Sequence, residues 1–428
     1  MTDDSNNSWR DRNVWTIALS AFFADLGYQT VLAGFPILLV IMLKQPYWEY
    51  GVATAISYGG GAVFSYMGAK IGSRVGHKRL ALIGNSAIPL LSLCGLIANP
   101  AWAIGFLVGG WWSRNLRSPS RRVMLVEAVP DKTVRAKAFG FMHALDIGGG
   151  VMASIFLIVA LLAHLNIKWI FLITIIPLLV STYSLSQAHV GELSPRKEPD
   201  IGKTDIPNME NNSQKTFQPL TEDEQNLKPE NNKDLLSASK KIIIASLLYG
   251  FTFYSTGFLV LTTAKSEGSN VGGIISYLLV QLASAITGYL IAPKLAKSIA
   301  RQFISLATFG YIVGALGTAL IAASAVFHFP ALGFDMGVLI IGFSLGIIDT
   351  LEPATMSLIS KGQQLAKGFG SLAAARSLGT FSANLIMGLL YEIGVAYAYG
   401  YATILAIAAA IAVLLGVPAV IRYEKSHN

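Results

Sequence analysis

Charged side chains lie inside long apolar stretches of this 428-residue chain. A charge at the centre of a lipid bilayer costs at least ~2.5 kcal/mol on insertion scales, so each one needs a partner or a purpose. A buried carboxylate can take up and release a proton, and a buried arginine can pair with a carboxylate or hold an anion. The residues concerned are Asp25, Arg114, Arg117, Arg121, Asp146, Asp349, Glu352 and Arg376.

The spacing of three arginines predicts where they lie. Arg114, Arg117 and Arg121 are three and four residues apart, which places them along one face of a helix. A face of arginines turned towards lipid is implausible, so we expect it to face other helices. Counted from the loop that joins their two segments, Arg117 and Asp146 are at equal depth. We therefore predict that these two residues form an ion pair.

The same count places Arg376 level with Asp349 and Glu352, which predicts a second set of ion pairs. Such pairs can lock neighbouring helices together. They can also break and re-form during a conformational change, because a buried ion pair is only weakly favourable after desolvation. Both roles are compatible with the sequence.

Asp25 lies near the middle of its apolar stretch. It is a candidate for a proton carrier or for the counter-ion of a substrate, and the alternative is a static partner of the arginines. Tyr28 and Gln29 follow it by one turn and can help to line a cavity. Tyr254 occupies a similar place in a later segment, which suggests that it lines the same cavity.

Histidine and cysteine predict little further chemistry. His143, one turn before Asp146, can relay a proton through an imidazole that titrates near pH 6.5, although a lone helical histidine is more often packed against its neighbours. Cys94 is the only cysteine, which excludes an intrachain disulfide and a cysteine-built metal site. No nucleotide-binding or metalloprotease motif is present, so we expect no cofactor, no metal and no enzyme activity.

The elements that must position these residues are membrane helices. The chain is 53% hydrophobic and 13% charged, with a mean hydropathy of +0.54, whereas soluble domains are about a quarter charged. A helix needs roughly 20 apolar residues to cross a bilayer. Twelve runs meet this need, and we number them 1 to 12: 14–43, 49–72, 79–98, 101–128, 137–163, 167–187, 241–264, 270–293, 301–326, 333–359, 366–392 and 396–421.

The runs divide into two sets of six. Residues 188–240 are rich in Asn, Glu, Lys, Pro and Ser, which is typical of a disordered linker. We therefore predict an all-α membrane protein with an N-terminal six-helix bundle (1–187), a cytoplasmic linker and a C-terminal six-helix bundle (241–428). The segments AKAFG at 136–140 and AKGFG at 366–370 open the fifth run of each set. Such matches predict two pseudo-symmetric repeats.

The distribution of Lys and Arg predicts the orientation, since cytoplasmic loops are enriched in positive charge. With both termini in the cytoplasm, the outer loops contain only Lys44, Lys168 and Lys265. The polar start of the chain has no apolar core or cleavage site of a signal peptide. We expect a multi-pass protein of the plasma (inner) membrane with both termini inside.

Two segments resemble the major facilitator superfamily. The loop after run 2, AKIGSRVGHKR at 69–79, is similar to the signature of that family, with Arg74, Gly76 and Lys78 on the pattern. Ser73 replaces the usual acidic residue of this loop. In run 4, Arg117, Pro119 and Arg121 form an Arg-x-Pro-x-Arg cluster that resembles a prokaryotic branch of the family.

The resemblance implies twelve helices in two six-helix bundles, alternating access and a substrate site between the halves, with run 1 and Asp25 at the cavity. It also implies a gating role for the loop that contains Arg74, Gly76 and Lys78. We expect a secondary transporter of a small solute, coupled to protons, that functions as a monomer without nucleic acid. The alternatives are a drug or metabolite efflux pump of the same fold, and a membrane receptor or assembly partner that does not transport.

Overall fold

The computed structural model describes residues 11–129, 135–190, 229–252, 254–295, 298–359 and 362–426, and these ranges contain helices and no strand. The first part of the chain forms α1 (Arg12–Pro36), α2 (Tyr47–Val75), α3 (His77–Ala87), α4 (Pro100–Ala128), α5 (Arg135–Leu162), α6 (Ile167–Ile173) and α7 (Ile175–Ser186). α1 continues as a π-helix, Ile37–Met42, and α3 continues as a 3₁₀ helix, Ile88–Gly95. Side-chain oxygens of Asp11, Asn99 and Asn166 accept bonds from free backbone N–H groups where α1, α4 and α6 begin.

The second part of the chain follows the segment 191–228, which lies outside the described residues. Its helices are α8 (Pro229–Gly250), α9 (Gly257–Glu267), α10 (Asn270–Ile286), α11 (Ala292–Leu295), α12 (Ile299–Ser305), α13 (Val313–Phe327), α14 (Ala331–Ile359), α15 (Gly362–Ile393), α16 (Val395–Leu414) and α17 (Val417–Lys425). The π-helices Thr287–Ile291 and Leu306–Ile312 join α10 to α11 and α12 to α13.

These bounds follow the predicted runs closely, apart from short turns at Thr174 in run 6 and at 415–416 in run 12. Two larger differences occur. The predicted linker extends to residue 240, but α8 begins at Pro229, so its last residues are helical. Proline suits this place because the first turn of a helix needs no N–H donor. Run 7 is not continuous, because helical structure stops at Gly250 and resumes at Gly257. Both differences concern run 7 and the residues that precede it.

The packing of the helices follows the same order in both parts of the chain. α1 packs against α5 and α7, and α8 packs against α15 and α16. α4 packs against α2 and α3, and α14 packs against α10 and α13. Between the two parts, α2 packs against α15, and α5 packs against α10. Corresponding runs therefore have corresponding neighbours.

Seven helical stretches in the described ranges are long and apolar enough to cross a membrane. α4 is not one of them, and it carries four arginines, Arg114, Arg117, Arg121 and Arg122. Many large apolar side chains are exposed, among them Val159, Leu162 and Tyr289. Exposed apolar surface of this extent marks a surface that meets lipid or another protein.

Candidate functional site

A cavity of about 270 Å³ lies between the two parts of the chain. Its described lining consists of aromatic, hydroxyl-bearing, amide and aliphatic residues, and it includes no Asp, Glu, Lys, Arg or His. The first part of the chain contributes Gln29, Leu32, Tyr58 and Trp111. The second part contributes Tyr249, Thr252, Tyr254, Ser255, Thr256, Leu259, Tyr277, Gly314, Thr318, Ile341, Leu345, Thr380 and Ala406.

The interruption between α8 and α9 forms part of the cavity wall, through Thr252, Tyr254, Ser255 and Thr256. The backbone N–H of Ser255 donates to Asn384 Oδ1 over 2.9 Å. At this break the backbone N–H of Ser255 therefore bonds to a side-chain oxygen, in place of the backbone carbonyl oxygen that it would meet in a continuous helix. Interrupted helices in membrane proteins are tolerated where they line a cavity or are buried in protein.

Contacts between the two parts of the chain close one side of the cavity. Tyr50 Oη and Ser255 Oγ share a hydrogen bond of 2.8 Å. The Tyr47 backbone N–H donates to Glu392 Oε2 over 2.9 Å, and the rings of Tyr47 and Tyr391 lie 4.6 Å apart. A Cβ placed on Gly51 would lie 2.5 Å from the Asn384 backbone oxygen, so α2 and α15 approach closely here.

Arg114 is separated from the cavity by aromatic rings. Its guanidinium lies 5.4 Å from the ring centre of Tyr28 and 5.1 Å from that of Trp111, within cation–π range. Arg114 Nη2 also donates to Tyr28 Oη over 3.4 Å. Trp111 lines the cavity, whereas Tyr28 and Arg114 do not. Of the predicted cavity residues, the structure therefore places Gln29 and Tyr254 in the lining.

Asp25 is buried against α5, where a Cβ on Gly149 would lie 2.9 Å from Asp25 Cβ. Asp25 Oδ1 accepts no hydrogen bond from the described residues. The nearby charges are those of Asp146, Arg114 and Arg121. This carboxyl group lies one helical turn from the lining residue Gln29 and among charges of both signs.

The predicted pair of Arg117 with Asp146 is wrong. Arg121 Nη2 donates to the two carboxylate oxygens of Asp146, over 3.2 and 3.3 Å. Arg117 is fully buried and donates instead to Asn85 Oδ1 on α3. Arg121 follows Arg117 by four residues, about one turn of α4, so the depth count misplaced the partner of Asp146 by one turn along the helix axis.

The predicted pairs of Arg376 are confirmed. Arg376 Nη1 donates to Asp349 Oδ1 over 2.7 Å, and Nη2 donates to Glu352. Glu352 is 1% exposed and also accepts a bond of 3.0 Å from Tyr311 Oη, whereas Asp349 is 47% exposed. The cluster therefore joins a buried carboxylate to one that is open to water.

The other predicted site residues lie outside the cavity lining. His143 is exposed on α5. Gly76 joins α2 to α3 with a φ of 97°, a conformation that favours glycine because it has no side chain. Arg74 is exposed and Lys78 is partly buried. The turn explains the glycine, and the gating role of this loop stays a prediction.

Sequence reasoning missed most of the aromatic and hydroxyl residues of the lining. Tyr58, Trp111, Tyr249 and Tyr277 carry no charge, so nothing in the sequence separates them from aromatic residues that pack elsewhere. The interruption of run 7 had a signal, since Gly250 and Gly257 flank it. Hydrophobic segments interrupted by glycine indicate transport sites in membrane proteins.

The family model of the Major Facilitator Superfamily matches residues 17–361. The chain belongs to this superfamily. It is therefore an integral, multi-pass membrane protein of a family of secondary transporters, not of enzymes. No curated protein sequence matches the chain.

Solved structures of other transporters share the fold at low sequence identity. A POT family transporter in complex with a thioalcohol-conjugated peptide has a TM-score of 0.70 at 14% identity, over 95% of this chain and 96% of that one. The nucleoside transporter NupG has a TM-score of 0.66 at 13% identity, over 95% and 98% of the two chains. A bacterial homologue of the human lysosomal transporter Spinster, in an inward-facing conformation, has a TM-score of 0.62 at 13% identity, over 97% of both.

Proposed function

We propose that this superfamily member is a proton-coupled secondary transporter that moves a small solute by alternating access between two six-helix halves. The observation that carries the proposal is the central cavity, which takes its lining from both parts of the chain and is closed on one side by contacts between them. A site at such an interface is exposed to alternate sides of the membrane when the two halves rock against each other.

Twelve membrane spans in two bundles are supported by the repeated packing order. The helices α2, α5, α10 and α15 correspond to runs 2, 5, 8 and 11. A repeat that relates run 2 to run 8 and run 5 to run 11 converts the contact of α2 with α15 into the contact of α10 with α5, and both contacts are present. This exchange is the pattern expected of two pseudo-symmetric halves that meet along four helices. The halves correspond to residues 1–187 and 241–428, with the second extended back to Pro229.

The conformation is inward-facing if both termini lie in the cytoplasm. The closed side then faces outwards, because it contains the loop with Lys44 and the turn at Gly394. The ion pairs of Asp146 and Asp349 lie towards the cytoplasm, and both aspartates are accessible to solvent. The lysine and arginine distribution supports this orientation in the inner membrane.

Asp25 is the residue through which we propose that protons are coupled. It is buried one helical turn from the lining residue Gln29, its Oδ1 accepts no hydrogen bond from the described residues, and its electrostatic neighbours include Arg114 and Asp146. A charge change at Asp25 therefore alters its interaction with Arg114, which contacts the cavity residue Trp111. This contact offers a physical link between protonation and the substrate site.

The test is solute flux in proteoliposomes with and without a pH gradient. We expect Asp25→Asn to abolish gradient-driven accumulation while solute exchange at equal pH persists, because the amide cannot exchange a proton. Glu49→Gln, which neutralises a carboxylate in the first turn of α2, should retain driven flux. Undiminished driven flux in the Asp25 variant would contradict the coupling role.

A further inference from the structure

Among the described residues, the lining of the cavity offers a solute no charged partner. The lining residues of the described ranges carry neutral side chains throughout. An ionised solute would lose its hydration on entry and gain no opposite charge, which costs far more than the transfer of a neutral polar group. The lining therefore disfavours anions and cations alike.

Arg114, which contacts the lining residue Trp111, does not change this conclusion. Arg114 already contacts the rings of Tyr28 and Trp111 and donates to Tyr28 Oη, so its charge is engaged on the far side of an aromatic wall. Tyr28 is 1% exposed and Trp111 is 9% exposed. A solute in the cavity meets the Trp111 ring in place of the guanidinium.

The lining offers flat rings together with neutral hydrogen-bonding groups. The rings of Tyr58, Trp111 and Tyr277 can stack on a ring of the solute or pack against its C–H faces. Gln29 Oε1 accepts a bond from Tyr277 Oη, which leaves its amide nitrogen as a donor. Hydroxyls of Thr256 and Thr380 add groups that both donate and accept, and Thr252 Oγ1, which donates to the Tyr249 backbone oxygen, adds an acceptor.

From these observations we infer that the cavity binds an uncharged solute that carries hydroxyl groups on a ring, a chemistry shared by nucleosides and monosaccharides. The inference rests on the proposed transport function and specifies its substrate class. The aromatic and hydroxyl groups recognise the ring and its substituents, and the absence of a counter-charge rejects charged derivatives.

Binding to the purified full-length protein in detergent tests the inference. The probes are matched sets: uridine against uridine 5′-monophosphate, and glucose against glucuronate and glucosamine. We expect a saturable rise of the thermal midpoint with uridine or glucose, and at least a tenfold weaker effect of each charged relative. A charged relative that binds as tightly as its neutral parent would overturn the inference, as would the failure of both neutral parents to bind.

A pair of variants tests whether the lining of the cavity determines the selectivity. Gln29→Glu introduces a charge at constant shape, and we expect it to weaken binding of the neutral probe by about tenfold. Gln45→Glu makes the same change outside the lining and should leave the affinity unaltered. If the Gln29 variant does not fold, Thr256→Val removes a hydroxyl of the lining and should weaken the same probe by about three- to tenfold. Unchanged affinity in the folded lining variant would contradict the assignment.

The two proposals fail in different ways. Binding in detergent needs no gradient. Binding of a neutral solute without any flux would therefore contradict the transport function and leave the proposed specificity of the cavity standing. Gradient-driven flux of a charged solute, without binding of any neutral solute, would contradict the proposed substrate class and leave the transport function standing.

Discussion

At the scale of single residues, the buried charges differ in how completely they are paired. Arg121 meets Asp146, and Arg376 meets both Asp349 and Glu352. Arg117 is fully buried and donates to the neutral side chain of Asn85, whose amide nitrogen donates to Ser181 and Thr182. An arginine held by an amide retains its full charge, so it contributes positive potential to this side of the first half.

The Arg121–Asp146 pair, whose side chains are 5% and 21% exposed, provides a test of pairing at a partly buried site. Arg121→Met leaves Asp146 without its partner, and the loss of one member of a buried pair is more costly than the loss of both. We expect the thermal midpoint to fall in Arg121→Met and to recover in part when Asp146→Leu is added. Arg79→Met, at an exposed arginine, should have little effect. A double variant that is less stable than Arg121→Met would contradict this account.

At the scale of the elements, glycines set how closely helices approach. A Cβ on Gly379 of α15 would lie 2.5 Å from Gly250 Cα, where α8 ends and the interrupted segment begins. The two helices therefore meet backbone to backbone next to the cavity. Such contacts are typical of small residues at helix interfaces in membranes.

Gly379→Ala should separate α8 from α15. Because Gly250 offers backbone atoms at this contact and no flexible side chain, we expect a lower thermal midpoint and weaker solute binding in the variant. Gly400→Ala is the matched control, since a Cβ there meets nothing within 4 Å and alanine favours a helix by up to ~1 kcal/mol. Equal midpoints for the two variants would contradict a tight contact at Gly379.

The helices also show which features of the structure could be predicted from the sequence. The helix bounds were predictable because a membrane helix needs a long apolar run, and the Arg376 cluster was predictable because its members are charged and level. Arg117 was assigned to the wrong partner because a count of residues from a loop fixes depth only to within about one helical turn, and Arg121 lies one turn nearer the loop. The cavity lining was not predictable, since Tyr58 and Thr380 differ from packed tyrosines and threonines only in what surrounds them.

At the scale of the whole molecule, closure of one side depends on bonds that join the two halves. Tyr50 and Ser255 share one such bond, and the ring of Tyr50 packs at 5.0 Å from that of Phe258. These interactions stabilise the closed side relative to a conformation in which it opens. Weakening them should shift the population towards the alternative conformation.

Thiol labelling can measure that shift, because Cys94 is the only cysteine and is buried. In a chain that carries Thr256→Cys, we expect Tyr50→Phe to increase labelling by a membrane-impermeant maleimide added outside. The chain without Thr256→Cys should remain unlabelled. Equal labelling with and without Tyr50→Phe would show that this bond does not hold the outer side shut.

The neutral cavity lining has an electrical consequence. If the solute is uncharged and Asp25 carries one proton, each cycle transfers one net elementary charge through the bilayer. A voltage of 100 mV then contributes ~2.3 kcal/mol per cycle to the driving force. Uridine or glucose flux should therefore respond to a potassium diffusion potential imposed with valinomycin, and a current on a supported-membrane electrode should accompany it.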